Sequence, residues 1–126
     1  MSSSEIFDGM LEQIGMSIER LDRCMRILSV VINTQPIGIL KISELTGMPE
    51  HIVRYSLRIM QRYGIIEPSR TGAIVSPSLL DSRERLVDEI AKIEEQLDET
   101  RKRAEHLLLS GTSGERRIAS KKEKSE

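Results

Sequence analysis

Three arginines recur at helical spacing in the middle of the chain, within the segment MPEHIVRYSLRIMQRYGII (residues 48–66). Arg54, Arg58 and Arg62 are four residues apart, and in an α-helix this spacing places them on one face, each about one turn from the next. A guanidinium group offers a planar fork of N–H donors that matches a phosphate or the edge of a guanine. The spacing therefore predicts a cationic face suited to nucleic acid.

These arginines lie on a segment with the pattern of an amphipathic helix, residues 49–63. Pro49 suits the first turn of such a helix, and Gly64 suits the position just after its last turn. The inward-facing positions are Val53, Leu57 and Met60, flanked by Ile52, Ser56, Ile59 and Tyr63. They fall opposite the arginines at about 100° per residue. A charged side of this kind is also the ordinary appearance of a solvated helix face.

Two short elements are predicted ahead of this helix. GILKI at 38–42 is a brief apolar run that indicates an edge strand. ISELTG at 42–47 indicates a short helix that begins at Ser43, turns Leu45 inward and ends at Gly47. A short helix, a tight glycine turn and a second helix then follow one another, which is the order of a helix-turn-helix unit.

Two short strands are predicted after the helix. IIEP at 65–68 and AIVS at 73–76 enclose SRTG, in which Gly72 supplies the permissive turn residue.

The N-terminal part is predicted to contain two helices. Apolar spacing indicates one from Glu5 to about Ile14 and another from Ser17 to about Thr34. Gly15 is expected to break or bend the chain between them, and Ser17 is expected to cap the second helix.

A seven-residue repeat begins after Pro77. One set of positions holds Leu79, Leu86, Ile93, Thr100 and Leu107, and the other holds Arg83, Ile90, Leu97 and Ala104. A helix cannot bury such a stripe by itself. Residues 79–109 span about 45 Å at 1.5 Å per residue, longer than a domain of about 60 residues is wide, which favours a second copy over folding back. The predicted dimer interface is Leu79, Leu86, Ile90, Ile93, Leu97, Ala104 and Leu107.

Charges beside this stripe give a slight preference for an antiparallel pair. In a parallel pair Glu89 faces Glu94 of the other chain, which repels. In an antiparallel pair Glu94 faces Arg101 and Glu89 faces Arg103. Exposed ion pairs contribute only tenths of a kcal/mol each. The segment around 6–14 is predicted to add to the same interface or, alternatively, to cover the core of the domain.

The phrase KISELTGMPEHIVRYSLRIMQRYGIIEPSRTGAIVSP (residues 41–77) resembles the winged helix-turn-helix domains of small prokaryotic transcriptional regulators. The matching features are Ile42, Leu45 and Gly47, then Val53, Leu57 and Met60, and then YGII leading into the wing. The resemblance covers about residues 18–78. With its long C-terminal helix the chain also looks like some archaeal winged-helix proteins, among them chromatin-associated ones that dimerise by a coiled coil.

Together these features predict a mainly α fold, in which a winged helix-turn-helix domain with a two-stranded wing is followed by a long coiled-coil helix. The expected organisation is an N-terminal helix at 1–16, a DNA-binding domain at 17–78, a dimerisation helix at 79–110 and a disordered tail at 111–126. The tail is assigned from its polar composition.

The resemblance implies that helix 49–63 lies in a DNA major groove, with its N-terminal end, near His51, entering deepest. Arg70 at the wing tip would reach the backbone or the minor groove, and Lys41 would touch a phosphate from the opposite flank. The predicted DNA-binding residues are Lys41, His51, Arg54, Tyr55, Arg58, Arg62 and Arg70.

The overall charge is modest, and its distribution carries more information than its sum. The net charge is −1, but residues 35–78 carry five basic and three acidic side chains, whereas residues 79–110 carry six basic and nine acidic ones. Residues 111–126 also carry five basic and three acidic side chains. The positive charge is thus concentrated in the predicted DNA-binding domain and in the tail.

Several other classes of protein are not expected. The sequence shows no nucleophile–base pair, phosphate-binding glycine loop or metal-ligand spacing, so we expect no enzyme activity, cofactor, metal or small-molecule ligand. The single cysteine, Cys24, is expected to be a buried apolar residue. No apolar run approaches the length of a membrane span and no secretory signal is evident, so a cytoplasmic location is predicted.

Three functions fit these features. The first is a transcriptional regulator that binds double-stranded DNA as a homodimer. The second is an architectural, chromatin-type DNA-binding protein, which the weak overall charge disfavours. The third is a protein-interaction module, since winged helices also serve as scaffolds.

Overall fold

The computed structural model describes residues 5–124, with side chains over residues 5–110. The chain divides into two units, the first ending at Asp81 and the second beginning at Ser82. The elements are α1 (Asp8–Thr34), α2 (Ile39–Thr46), α3 (Glu50–Arg62), β1 (Ile66–Ser69), β2 (Gly72–Val75), α4 (Pro77–Asp81) and α5 (Arg83–Lys124). The prediction of a mainly helical chain with a two-stranded antiparallel sheet and a long C-terminal helix is confirmed.

α1 is one continuous helix, and the predicted break at Gly15 is wrong. Ser17, expected to cap a new helix, lies inside α1, where its hydroxyl donates to the Gln13 carbonyl oxygen at 3.1 Å. A single glycine costs a helix only about 1 kcal/mol relative to alanine. The residues on both sides of Gly15 therefore continue the helix through it, and segment 1–16 shares α1 with the segment after it over the described residues.

The edge strand predicted at 38–42 is also wrong, because α2 begins at Ile39. Only Ile37 pairs with a strand, and it exchanges two backbone hydrogen bonds with Ala73, at 3.2 and 2.8 Å. A short apolar run does not distinguish a strand from a buried helical turn by periodicity alone.

Two predictions for α2 are wrong, namely its start at Ser43 and the inward orientation of Leu45. The predicted end at Gly47 is confirmed. Ser43 lies inside the helix, and its hydroxyl donates to the Met48 carbonyl oxygen at 2.5 Å. Leu45 is 49 % exposed, and Ile42 is the buried residue of α2. Gly47 ends α2 in the left-handed conformation, with φ of 77°.

α3 follows the predicted amphipathic pattern. The side chains that it turns inward are Val53, Ser56 and Met60, which are buried, and Leu57, which is partly buried. Tyr63 departs from the prediction, because it lies just beyond the last residue of α3 and is 73 % exposed. Gly64 follows with a positive φ, as predicted, and the Ile65 N–H donates to the Met60 carbonyl oxygen at 2.8 Å, so the end of the helix is satisfied.

The two predicted strands are confirmed as an antiparallel hairpin. Its register runs from Ile66 opposite Val75 to Ser69 opposite Gly72. The Val75 N–H donates to the Gln35 side-chain oxygen at 2.7 Å. This bond and the pairing of Ile37 with β2 fasten the hairpin to the segment that joins α1 to α2.

The core of the first unit is aliphatic, as its composition requires. Its most deeply buried apolar residues are Ile27, Val31, Ile42, Val53 and Met60. Cys24 joins them, which confirms its predicted burial, and that burial raises the pKa of its thiol.

One buried polar group in this core has no partner among the described residues. Ser56 is 1 % exposed, and its hydroxyl oxygen makes no hydrogen bond. Ser56→Ala is therefore expected to raise the free energy of unfolding by about 1 kcal/mol, since it removes an unsatisfied buried hydroxyl and improves helix propensity. Urea denaturation followed by circular dichroism measures this change. A destabilised variant would show that the hydroxyl has a partner, such as a buried water.

The predicted long helix is interrupted near its start. Leu79 belongs to α4, and it is partly buried against the core of the first unit. The heptad positions on one continuous helix are therefore those from Arg83 onward, within α5. The disorder predicted for 111–126 falls on residues whose side chains lie outside the described range, and it stays a prediction.

Candidate nucleic-acid interface

The predicted DNA-binding residues are all exposed. They are Lys41 on α2, Arg70 in the turn between β1 and β2, and His51, Arg54, Tyr55, Arg58 and Arg62 on α3. At about 100° per residue, the five on α3 fall within about 60° of Arg58 on either side. The structure thus places these five on one outward face, which we call the α3 face.

The guanidinium groups of the α3 face are not neutralised by the protein. Among the described residues, none of Arg54, Arg58 and Arg62 lies within 4.0 Å of a carboxylate oxygen. Lys41 differs, because its ammonium nitrogen lies 3.4 Å from a carboxylate oxygen of Glu44. The three arginines therefore keep their N–H donors available for an anionic ligand.

The basic residues of α5 contrast with those of α3. Arg101 pairs with Asp98 at 2.7 Å and also with Glu105, and Arg103 lies 3.9 Å from Glu99. The Asp98 pairing also raises the pKa of Arg101 and lowers that of Asp98. Within the part of the chain that the structure describes, α3 therefore carries three arginines without a carboxylate partner, whereas the basic residues of α5 between 92 and 103 pair with carboxylates of their own helix.

An open groove of about 460 Å³ separates α3 from the hairpin. Arg54, Arg58 and Gln61 form its α3 side, and Pro68 and Ser69 lie on the hairpin side. Its remaining lining is Ile37, Gly38, Ile39, Leu57, Ile66, Gly72 and Ala73. The groove therefore joins an apolar floor to a cationic rim. His51, Tyr55, Arg62, Lys41 and Arg70 do not line it.

Sequence reasoning did not find the hairpin side of this groove or the position of Gln61 in its lining. Helical periodicity places Gln61 on the outward face of α3 but gives no reason to associate it with Arg54 and Arg58. The groove exists because Ile37 pairs with Ala73 across the chain. No local spacing signals that pairing.

α5 exposes a stripe of apolar side chains. Ile93 is 56 %, Leu97 54 % and Leu107 71 % exposed, whereas Leu86 and Ile90 are partly exposed. Val87, which was not predicted as an interface residue, is 66 % exposed beside this stripe. Large exposed apolar patches commonly mark interaction sites, and the dimer interface predicted for this stripe stays a prediction.

The N-terminal half of α1 is a second exposed apolar surface. Its exposed apolar residues, together with the two that precede the helix, are Ile6, Phe7, Met10, Leu11, Ile14, Met16, Ile18 and Leu21. No residue between 5 and 19 is buried. The alternative in which this segment covers the core of the domain is therefore wrong for the first unit.

No helix within the described residues has both the length and the apolarity to cross a membrane. Over the same residues, no group of three or more His, Cys, Asp and Glu side chains is arranged to hold a metal ion. No protein-family model matches the chain, and no curated protein is similar enough to count as a relative.

Proposed function

We propose that this protein is a dimeric DNA-binding transcriptional regulator that reads the major groove with α3. In this proposal α2 and α3 form a helix-turn-helix and the β1–β2 hairpin is its wing. The order of α2, the glycine turn at Gly47, α3 and the hairpin supports this interpretation. The second copy is expected to associate through the exposed stripe of α5.

The observation that carries the proposal is the α3 face. An exposed row of arginines, each without a carboxylate partner among the described residues, supplies donors for phosphates and base edges. α3 is 13 residues long, about 20 Å, and a major groove about 12 Å wide admits one helix of this diameter. The apolar side of α3 is packed, so this face is the side that a duplex can reach.

The other predicted residues fit around that helix. His51 lies in the first turn of α3, the end that enters the groove in helix-turn-helix proteins. Arg70 is exposed in the hairpin turn, where a wing contacts the backbone. Lys41 is on α2, which would cross the backbone beside α3.

The same residues predict how binding depends on salt. Four or five cationic contacts per domain give a slope of log affinity against log salt near −4, since each neutralised phosphate contributes about −0.9. A dimer doubles the number of contacts and roughly doubles the slope. A single domain is therefore expected to bind weakly, and dimerisation is part of the function.

The architectural alternative has less support. Proteins that bind DNA mainly through its backbone are usually strongly basic, whereas this chain has a net charge of −1. All four basic residues of α5 between 92 and 103 also pair with carboxylates of their own helix.

Selection from a pool of random duplexes, followed by footprinting, tests the proposal. We expect the bound pool to converge on one motif with twofold symmetry, and the footprint to protect one discrete site. Binding that protects DNA uniformly and enriches no motif supports the architectural alternative. No binding at low salt contradicts both DNA-binding functions and leaves the protein-interaction module.

A further inference from the structure

The apolar stripe of α5 is uneven in size along the helix. Its first half carries the large residues Ile90, Ile93 and Leu97, whereas Thr100 and Ala104 follow before Leu107. We call the line of contact between two copies of this stripe the seam. The seam is packed without gaps or overcrowding only where the segment with large residues in one copy lies against the segment with small residues in the other. The direction of pairing is therefore encoded in the order of large and small residues.

We infer that α5 pairs with α5 of a second copy as an antiparallel coiled coil centred between Asp98 and Glu99. The inference rests on the proposed function only in taking the partner to be a second copy. In this register Ile93 faces Ala104, Leu97 faces Thr100 and Ile90 faces Leu107 of the second copy. Each of the two central layers combines one large and one small side chain.

A parallel pair packs the same residues poorly. Thr100 would face Thr100 and Ala104 would face Ala104 in successive layers, where two small side chains leave space that neighbouring residues cannot fill. Ile93 and Leu97 would meet their own copies in the other layers. The two small layers would then lie next to each other, between the large layers of Leu97 and Leu107, instead of each being paired with a large residue.

The charges beside the seam agree with the antiparallel register. Glu94 of each copy lies close to Arg101 of the other across the edge of the seam, so the interchain contact is shared with the contacts that Arg101 makes to Asp98 and Glu105 of its own helix. A parallel pair instead places Glu89 against Glu94. An antiparallel register shifted by half a heptad, which pairs Ile93 with Leu97, brings the two Glu94 side chains together and is disfavoured for the same reason.

Distances between nitroxide labels on the outer side of α5 test the inference. Asp88→Cys and Lys102→Cys are labelled separately in a Cys24→Ala background, and electron–electron dipolar spectroscopy measures each distance within the full-length dimer. The inferred register gives axial offsets of about 32 Å at 88 and about 10 Å at 102. The expected result is therefore a clearly longer distance at 88.

Equal distances at the two positions overturn the inference, because a parallel pair gives no axial offset at either and the shifted antiparallel register gives about 21 Å at both. The absence of dipolar coupling at both positions overturns it as well. DNA affinity of the same proteins separates the two proposals, since tight DNA binding with equal distances contradicts the register alone. Lost DNA binding with the expected distances contradicts the proposed function alone.

A second pair of variants retains Cys24. Ala104→Leu is expected to raise the dimer dissociation constant at least about tenfold, because the added side chain meets Ile93 in an already filled layer. Ala91→Leu adds the same atoms on the outer side of α5 and is expected to leave dimerisation unchanged. Sedimentation equilibrium measures both constants. A tighter Ala104→Leu dimer overturns the inference, because it shows that Ala104 lies opposite a small residue of the second copy and not opposite Ile93.

Discussion

Replacing Arg54 and Arg58 together with alanine is expected to lower affinity for the selected DNA site by about 100-fold or more. The two side chains lie one turn apart on α3 and form the cationic rim of the groove beside the hairpin. An arginine that makes a bidentate contact to a base contributes about 1–3 kcal/mol, and about 1.4 kcal/mol corresponds to a factor of ten. Fluorescence anisotropy with a labelled duplex at fixed low salt measures the loss.

The matched control is the double variant Arg26→Ala and Arg85→Ala. It removes the same charge from exposed positions on α1 and α5, and it is expected to change affinity by less than about threefold through the weak long-range term alone. The slope of log affinity against log salt should fall in magnitude by up to about 1.8 for the α3 variant, if both arginines contact phosphates, and stay constant for the control. Equal losses in the two double variants would contradict a specific role for the α3 face.

The parts of the fold that could be predicted from sequence are those with strong local signals. α3 combines a 3.6-residue apolar period with Pro49 at its start and Gly64 at its end, and its inward residues were predicted nearly in full. The hairpin was predicted because two β-prone runs enclose a turn with Gly72. In both cases the residues that specify the element all lie within one short segment of the chain.

The errors occur where local signals conflict or are weak. Gly15 has a poor helix propensity, but about two helical turns before it and about five after it outweigh one unfavourable residue. Around Ile39 the apolar run is too short to show a period, and its conformation is decided by Ile37, which pairs with a strand more than 30 residues away. A contact between residues so far apart in the chain cannot be predicted from the local spacing of residues.

The candidate site also has one part that could be predicted from sequence and one part that could not. The exposure of the α3 face follows from helical periodicity and could be predicted, whereas the groove between α3 and the hairpin could not, because tertiary pairing creates it. Leu79 shows a related effect on the predicted interface. Its heptad position continues the stripe of α5, but α4 ends before α5 begins, and Leu79 packs against the core of the first unit.

Gly72→Ala is expected to have the largest effect on stability, lowering the free energy of unfolding by about 3–5 kcal/mol. A Cβ atom at residue 72 would lie 2.6 Å from the carbonyl carbon and oxygen of Ile37, which are backbone atoms and cannot rotate away. Gly72 also has φ of 137°, a conformation that costs other residues about 1–3 kcal/mol, and the clash adds a similar amount. At about 4–8 °C per kcal/mol for a domain of this size, the midpoint of thermal unfolding should fall by at least about 12 °C.

Gly15→Ala is the control for this substitution, because a Cβ atom at residue 15 meets nothing within 4 Å. It is expected to stabilise α1 by up to about 1 kcal/mol through helix propensity. Differential scanning calorimetry of both variants measures the two opposite shifts in the midpoint of thermal unfolding.

The Gly72→Ala variant should also bind DNA more weakly at a temperature where it remains folded, since the clash with Ile37 displaces the hairpin from the groove that Arg54 and Arg58 share. Unchanged stability in that variant would mean that Ile37 and β2 are not held together as closely as their hydrogen bonds indicate.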